Sequence, residues 1–100
     1  MVSIFFQSAI GKTVELTDER RGHILRFHPD VGPFLDRIGE ALAHPDALRR
    51  SSQDSQVALF YKFYADILEG KYIVVVVKQN ERSFILTVYL SNNIRTGVAL

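Results

Sequence analysis

The sequence predicts an α+β domain in which two early helices pack against an antiparallel sheet supplied by the second half of the chain. Apolar residues recur at helical spacing between Val31 and Leu42, whereas the segment from Val57 onward has the alternation and the β-branched and aromatic content of strands. The aliphatic run at residues 73–77 is far shorter than the ~20 residues that span a bilayer, so it predicts a buried central strand. One hundred residues form a single domain, 1–100.

The first half of the chain predicts two short strands and a helix. The strands are expected at residues 4–7 and 13–16, on either side of Gly11. Thr17 or Asp18 caps a helix that runs to about Phe27, because a side-chain oxygen at this position accepts hydrogen bonds from the free N–H groups of the first turn.

A second helix is predicted through the periodic apolar residues that follow. Pro33 suits its first turn, because the missing N–H has no partner there, and Pro45 ends it. Its apolar positions share one face: Val31, Leu35, Ile38 and Leu42.

Four strands are predicted after the helices, at residues 47–52, 57–64, 72–78 and 82–90. The tight connection at residues 79–81 makes the last two antiparallel neighbours. Alternation along the last strand predicts one apolar face and one face with a ladder of hydroxyls. The apolar face comprises Phe84, Leu86, Val88 and Leu90, and the other comprises Ser83, Ile85, Thr87, Tyr89 and Ser91.

The composition favours a cytoplasmic protein without a membrane segment. The first residues lack the basic region and the long apolar run of a secretory signal, and the chain has no Cys. The segment from Asp18 to Asp46 contains four basic and six acidic residues, a net charge of −2. The segment from Ala47 onward contains seven basic and four acidic residues, a net charge of +3. The basic sheet half permits a polyanionic ligand, although a solvated sheet edge gives the same count.

The common catalytic and metal-binding motifs are absent from the sequence. It has no glycine-rich phosphate loop, no nucleophile elbow, no zinc-ligand spacing and no carboxylate cluster for magnesium. His23 and His28 are five residues apart, which is about 140° around a helix. We therefore predict neither a metal site nor a cofactor.

His23 is the leading candidate for chemistry. Arg20 and Arg26 lie three residues before and after it on one polar stripe of the first helix, and neighbouring cations favour a neutral imidazole that can accept a proton. The alternative is an ordinary solvated helix surface. His28 and His44 both precede Pro at helix ends, where a partly charged imidazole suits the helix dipole.

Polar side chains of two strands form a second candidate group. Depending on register, one sheet face carries a cation, phenols and hydroxyls, the groups that a phosphodiester contact needs. The alternative is a half-exposed sheet, in which Thr and Tyr are simply good strand residues. The residues are Lys62, Tyr64, Thr87, Tyr89 and Ser91. The adjacent Arg49 and Arg50 have the same two interpretations.

Several short segments, in their order and spacing, resemble a known group of proteins. They are His23-Ile24, His28-Pro29-Asp30, residues 34–38, residues 43–46, Arg49-Arg50, residues 60–62, residues 71–78 and residues 87–91. The pattern is similar to small phage- and plasmid-associated proteins of the barnase–EndoU–colicin–RelE-like nuclease fold. The resemblance covers roughly residues 17–97.

The resemblance implies two N-terminal helices packed on one face of a roughly four-stranded antiparallel sheet, with RNA held against the sheet. It also implies a metal-independent endoribonuclease of toxin type, which cleaves RNA through its own 2′-hydroxyl to a 2′,3′-cyclic phosphate. RNA, an antitoxin protein and a second copy in a homodimer are the possible partners.

Roles can be assigned on this basis. The catalytic candidates are His23, Arg49, Lys62, Tyr89 and His28, and the RNA-binding candidates are Arg20, Arg26, Arg50, Tyr64, Thr87 and Ser91. The rival hypothesis is a non-catalytic protein- or RNA-binding module, or a degenerate nuclease, on the same fold.

Overall fold

The computed structural model describes residues 2–94 and 98–99. Residues 95–97 of the predicted resemblance lie outside this range. The elements in chain order are β1 (Ser3–Gln7), β2 (Thr13–Thr17), α1 (Asp18–Phe27), a 3₁₀ segment (Pro29–Arg37), α2 (Ile38–Ala43), β3 (Ala47–Arg50), β4 (Val57–Tyr64), β5 (Lys71–Lys78), β6 (Ser83–Ser91) and β7 (Val98–Ala99).

The described strands form one mixed sheet in the order β1-β2-β6-β5-β4-β3-β7. Strands β3 to β6 are antiparallel neighbours, and β1 forms an antiparallel hairpin with β2. The sheet is mixed because β2 runs parallel to β6, with Val14 opposite Ser83 and Glu15 opposite Phe84. The two-residue β7 pairs with β3 at the other end.

The α+β class is therefore found, but the predicted architecture of two N-terminal helices on a four-stranded antiparallel sheet is wrong. The first two elements are strands, and they extend the sheet beside β6. A two-stranded hairpin is marginally stable by itself. Pairing with β6 lets this hairpin bury Val14 and Leu16 in the common core, which is the physical reason that the sheet is wider than predicted.

The predicted start of the first helix is confirmed. Thr17 is the N-cap, and its hydroxyl accepts a hydrogen bond of 3.1 Å from the Arg20 N–H. The second helix is only partly as predicted, because residues 29–37 form a 3₁₀ segment and only residues 38–43 are α-helical. Pro33 lies inside the 3₁₀ segment, where it cannot donate to the i→i−4 ladder of an α-helix.

The core lies between the helices and one face of the sheet. Fully buried side chains come from α1, the 3₁₀ segment, α2 and the alternate positions of the central strands. They include Ile24, Val31, Ile38, Leu42, Phe60, Ile73, Val75, Val77, Ile85 and Val88. We call the opposite surface of the sheet the distal face. Pairing and alternation assign to it the other side chains of these strands, among them Arg49, Tyr61, Tyr72, Val74, Thr87 and Tyr89.

A β-bulge in β6 changes the predicted faces of that strand. Val76 pairs with Thr87 but Val77 pairs with Ile85, so Leu86 is an extra residue on β6. Ile85 consequently lies in the core with Val88, and Phe84 lies on the side of Thr87. The predicted apolar face of residues 84, 86, 88 and 90 is therefore wrong, because strict alternation does not continue through a bulge.

Candidate functional site

The C-terminal half of β6 borders the helical layer instead of another strand. β2 pairs with β6 only at Ser83 and Phe84, and among the described residues no strand continues along that side of β6. Helix α1 and the 3₁₀ segment both contact β6. This part of the sheet edge is where the helix that carries the predicted histidines meets the strand that carries the predicted hydroxyls.

His28 and Tyr89 come together at this edge. Their ring centroids are 6.1 Å apart and the rings are tilted by 37°. His28 ends α1 and is half-buried, and Tyr89 is a half-buried residue of the distal face. Because one side chain comes from the helical layer and the other from the distal face, the two rings meet around the edge of β6. An imidazole and a phenol are both able to transfer protons.

Thr87 lies two residues before Tyr89 on the same face of β6. Its Oγ1 atom is buried and has no hydrogen-bond partner among the described residues. A buried hydroxyl without a partner costs about 1–3 kcal/mol of stability. Such a group in a native fold requires an explanation, and its lack of accessible surface means that a ligand reaches it only if the neighbouring side chains move.

His23 is exposed on α1 and does not join this pair directly. Its ring lies 4.7 Å from the ring of Phe27, one helical turn later, and Phe27 is 59% exposed. Arg26 is also exposed, and Arg20 is half-buried behind the N-cap. The predicted stripe of His and Arg on α1 is therefore accessible.

Lys62 and Tyr64 do not lie with the β6 hydroxyls, so the predicted shared face is wrong. Lys62 pairs with Ile73 and Tyr64 with Lys71, and both lie on the same face of β4 as the buried Phe60, which is the helix side of the sheet. The Lys62 Nζ atom lies 3.7 Å from a carboxylate oxygen of Asp46. The register of β4, which the sequence alone did not determine, is the reason for the difference.

The Tyr64 hydroxyl donates a hydrogen bond of 2.5 Å to the Glu40 carboxylate of α2. Burial and this bond raise the pKa of Tyr64 well above its ordinary value of 10.0. The guanidinium of Arg37 lies over the same ring, 4.8 Å from the centroid. Tyr64 therefore joins the helical layer to the sheet instead of presenting a phenol to a ligand.

Arg37 holds a further contact that sequence inspection did not find. Its two terminal nitrogens donate to both carboxylate oxygens of Asp66, at 2.8 and 2.7 Å. The hydrogen bonds lower the pKa of Asp66 and raise that of Arg37. Nothing in the local sequence indicated this pair, because the turn after β4 brings Asp66 to Arg37.

The remaining predicted residues are dispersed. Arg49 lies on the distal face in the same row as Thr87, but two strands lie between them, which corresponds to about 14 Å. Its Nη1 donates to the Leu48 carbonyl at 2.8 Å. Arg50 is exposed on β3. The Ser91 hydroxyl donates to the Asn93 carbonyl at 2.7 Å within its own turn.

Two grooves, of about 360 and 500 Å³, lie elsewhere, beside the parallel pairing of β2 with β6. Both are lined by Glu15 and Arg82, which form an ion pair at 3.3 Å. The lining includes none of the predicted site residues. Sequence analysis could not have found these grooves, because strand pairing assembles them from residues 5–17 and 80–84.

Among the described residues, no three His, Cys, Asp or Glu side chains cluster so that they could hold a metal ion. Within the same residues, none of the helices combines the length and the apolar character needed to cross a membrane. The comparisons with known proteins identify no relative: no family model matches the chain, and neither a curated protein nor a solved structure is significantly similar to it.

Proposed function

We propose that this protein is a metal-independent endoribonuclease whose reaction takes place where His28 meets Tyr89. The observation that carries the proposal is the 6.1 Å separation of these two rings, which come from positions far apart in the sequence. Thr87 lies two residues before Tyr89 on the same face of β6. His28 and Tyr89 together offer two proton-transfer groups at a single sheet edge.

The reaction needs little else from the protein, because RNA carries its own nucleophile. A base takes the proton of the 2′-hydroxyl, the 2′-oxygen forms a bond to phosphorus, and the bond from phosphorus to the 5′-oxygen breaks. An acid then protonates the departing 5′-oxygen, which leaves a 2′,3′-cyclic phosphate. Each proton-transfer group contributes roughly 10²–10⁴-fold to the rate.

In the proposal, His28 and Tyr89 are the acid and base. Arg26, the basic residue in the last turn of α1, is assigned to the phosphate charge. His23 and Arg20 extend this surface along the helix toward neighbouring nucleotides. Arg49, about 14 Å from Thr87, would contact a different phosphate.

The assignment removes Lys62 from the predicted catalytic group and Tyr64 from the predicted RNA-binding group. Lys62 is beside Asp46 on the helix side of the sheet, and Tyr64 is bonded to Glu40. The sequence pattern that resembles toxin-type nucleases includes His23, His28 and the 87–91 segment, and it is the origin of these assignments. A cytoplasmic location and control by an antitoxin protein belong to the same proposal.

The test is cleavage of a labelled RNA by the purified protein in excess chelator. We expect products with a 2′,3′-cyclic phosphate, and a rate lower by about 10²–10⁴-fold in His28→Ala. His44→Ala is the matched control, because His44 also precedes Pro-Asp at a helix end but is exposed. Equal loss in both variants, or full activity in His28→Ala, would show that the reaction does not depend on this site.

A non-catalytic RNA-binding module is the second candidate. It is favoured by the dispersal of the predicted cations, since Lys62 and Arg49 lie on opposite faces of the sheet. RNA retention without cleavage, on free RNA and on ribosomes, would support this module. In that case Arg26→Gln should weaken binding and reduce its salt dependence, whereas it should lower the cleavage rate if the protein is a nuclease.

A further inference from the structure

The outer edge of β1 lacks a partner strand. Strand β1 ends the sheet, and within residues 2–94 and 98–99 no strand pairs with its outer side. Natural edge strands are usually protected by charged residues, proline or bulges. Residues 2–11 contain neither a charge nor a proline, and the pairing of β1 with β2 is regular from Ser3 to Gln7.

Exposed apolar side chains are concentrated on the same segment. Val2 is 70% exposed, Ile4 is 46% exposed and Phe5 is 59% exposed. Only three other large apolar side chains of the described residues are comparably exposed, and they are on three different elements or turns: Phe27, Phe63 and Leu68. The edge therefore combines open backbone groups with apolar surface.

The hydrogen-bond pattern of the hairpin determines which backbone groups point outward. The Ser8 N–H donates to the Lys12 carbonyl at 3.0 Å. Because hydrogen-bonded and non-hydrogen-bonded pairs alternate in an antiparallel ladder, Phe6 and Ile4 direct their N–H and C=O groups toward β2. The groups of Ser3, Phe5 and Gln7 therefore point away from the sheet.

We infer that β1 pairs antiparallel with β1 of a second copy of this chain, about a two-fold axis at Phe5. In this register Phe5 faces Phe5 of the second copy, and Ser3 faces Gln7. All three residues with outward N–H and C=O groups then fall in hydrogen-bonded pairs, so each finds a partner. A register shifted by one residue would place the outward N–H and C=O groups of each copy opposite residues of the other copy whose backbone groups point toward their own β2.

The side chains are compatible with the same register. Ile4 lies opposite Phe6 of the second copy on the helix side, and the two Phe5 rings meet on the distal side. Apolar and aromatic cross-strand pairs of this kind stabilise sheets. A self-pairing segment without charges also avoids the like-charge repulsion that would oppose a symmetric dimer. The two copies would form one continuous sheet, and this inference does not depend on the proposed nuclease activity.

Cysteine cross-linking tests the register, because the chain has no natural Cys. In a hydrogen-bonded antiparallel pair the Cα atoms are about 5.5 Å apart, within the range of a disulfide. We expect Phe5→Cys to form a covalent dimer under mild oxidation. Ser3→Cys alone should not, because the two Ser3 positions are about 13 Å apart along the strands. When the Ser3→Cys and Gln7→Cys variants are mixed, we expect a disulfide-linked heterodimer, because Ser3 faces Gln7 of the second copy.

A charge exchange tests the two-fold axis without cross-linking. Phe5→Lys and Phe5→Glu should each be monomeric, and their mixture should restore a dimer by sedimentation analysis. A single pair of five-residue strands is a small interface, so the native dimer is expected to be reversible at micromolar concentrations. The inference is overturned if the native protein remains a monomer at high micromolar concentration, or if Ser3→Cys alone cross-links as readily as Phe5→Cys.

Discussion

His28 and His44 have nearly the same backbone conformation at the ends of their helices, with φ −134° and ψ 63° for His28 and φ −135° and ψ 58° for His44. Each backbone N–H donates to the carbonyl four residues earlier, at 2.7 and 2.8 Å. The segments His28-Pro29-Asp30 and His44-Pro45-Asp46 therefore form the same type of helix C-terminus. The surroundings differ, because His28 contacts Tyr89 and His44 is exposed.

Thr87→Val should stabilise the protein. The substitution removes a buried hydroxyl that has no partner among the described residues and keeps the branched shape. We expect the free energy of unfolding to rise by about 1 kcal/mol in urea titrations.

Thr13→Val is the control for this prediction. The Thr13 hydroxyl accepts a hydrogen bond of 2.9 Å from the Gln7 side chain, so its removal should not stabilise the fold. A loss of stability in Thr87→Val would contradict the conclusion that its hydroxyl lacks a partner.

Tyr64→Phe should destabilise the protein by about 1 kcal/mol, because it removes the hydrogen bond to Glu40. The raised pKa of Tyr64 also has a consequence at high pH. The unfolded phenol ionises near 10.0 and the folded one well above that value, so the stabilisation is complete below pH 10 and is lost as the pH rises further.

Urea titrations at increasing alkaline pH would measure this loss. It should be smaller in Tyr64→Phe but unchanged in Tyr72→Phe, which removes the hydroxyl of a half-buried tyrosine on β5. An identical alkaline profile in the native protein and Tyr64→Phe would refute the prediction.

Asp66→Asn should weaken the dependence of stability on pH in acid. The hydrogen bonds from Arg37 lower the pKa of Asp66 below its ordinary value of 3.8, so the folded state releases this proton more readily than the unfolded state. The stabilisation is therefore present above pH 4 and is lost as the pH falls below that value. The exposed position of Asp66 keeps the effect small.

Thermal unfolding of the native protein and of Asp66→Asn, measured between neutral and acidic pH, tests the contribution of the Arg37–Asp66 ion pair. Asp30→Asn, at an exposed carboxylate of the 3₁₀ segment, is the control and should retain the native slope. If Asp66→Asn also retained it, the ion pair with Arg37 would not contribute to acid stability.

Gly70→Ala and Gly22→Ala should change stability in opposite directions. Gly70 has φ +107°, and a Cβ atom there would lie 2.8 Å from the Cζ atom of Phe63. We expect a loss of about 1–3 kcal/mol from backbone strain. Gly22 lies within α1, and a Cβ atom there meets nothing within 4 Å, so Ala should add about 0.5–1 kcal/mol. Chemical denaturation of both variants checks the signs.

Local sequence patterns predicted the part of the site that lies on α1 but not the parts that depend on strand register and packing. The stripe of Arg20, His23 and Arg26 on α1 follows from helical spacing, which depends only on near neighbours. The face of Lys62 could not be predicted in the same way, because a one-residue change of register moves every side chain of a strand to the other face. The contact between His28 and Tyr89 depends on how α1 packs against β6.

The sequence by itself determined the α+β class, a cap of α1 at Thr17 or Asp18, the end of α1 before Pro29 and the hairpin of β5 with β6. These features follow from backbone preferences and side-chain periodicity within a few residues. Only the tertiary structure decided that β2 joins β6 in parallel, that a bulge at Leu86 exchanges the faces of β6, and that Tyr89 meets His28. Each of these depends on packing between segments far apart in the chain, where the need to bury apolar side chains such as Val14 outweighs local preference.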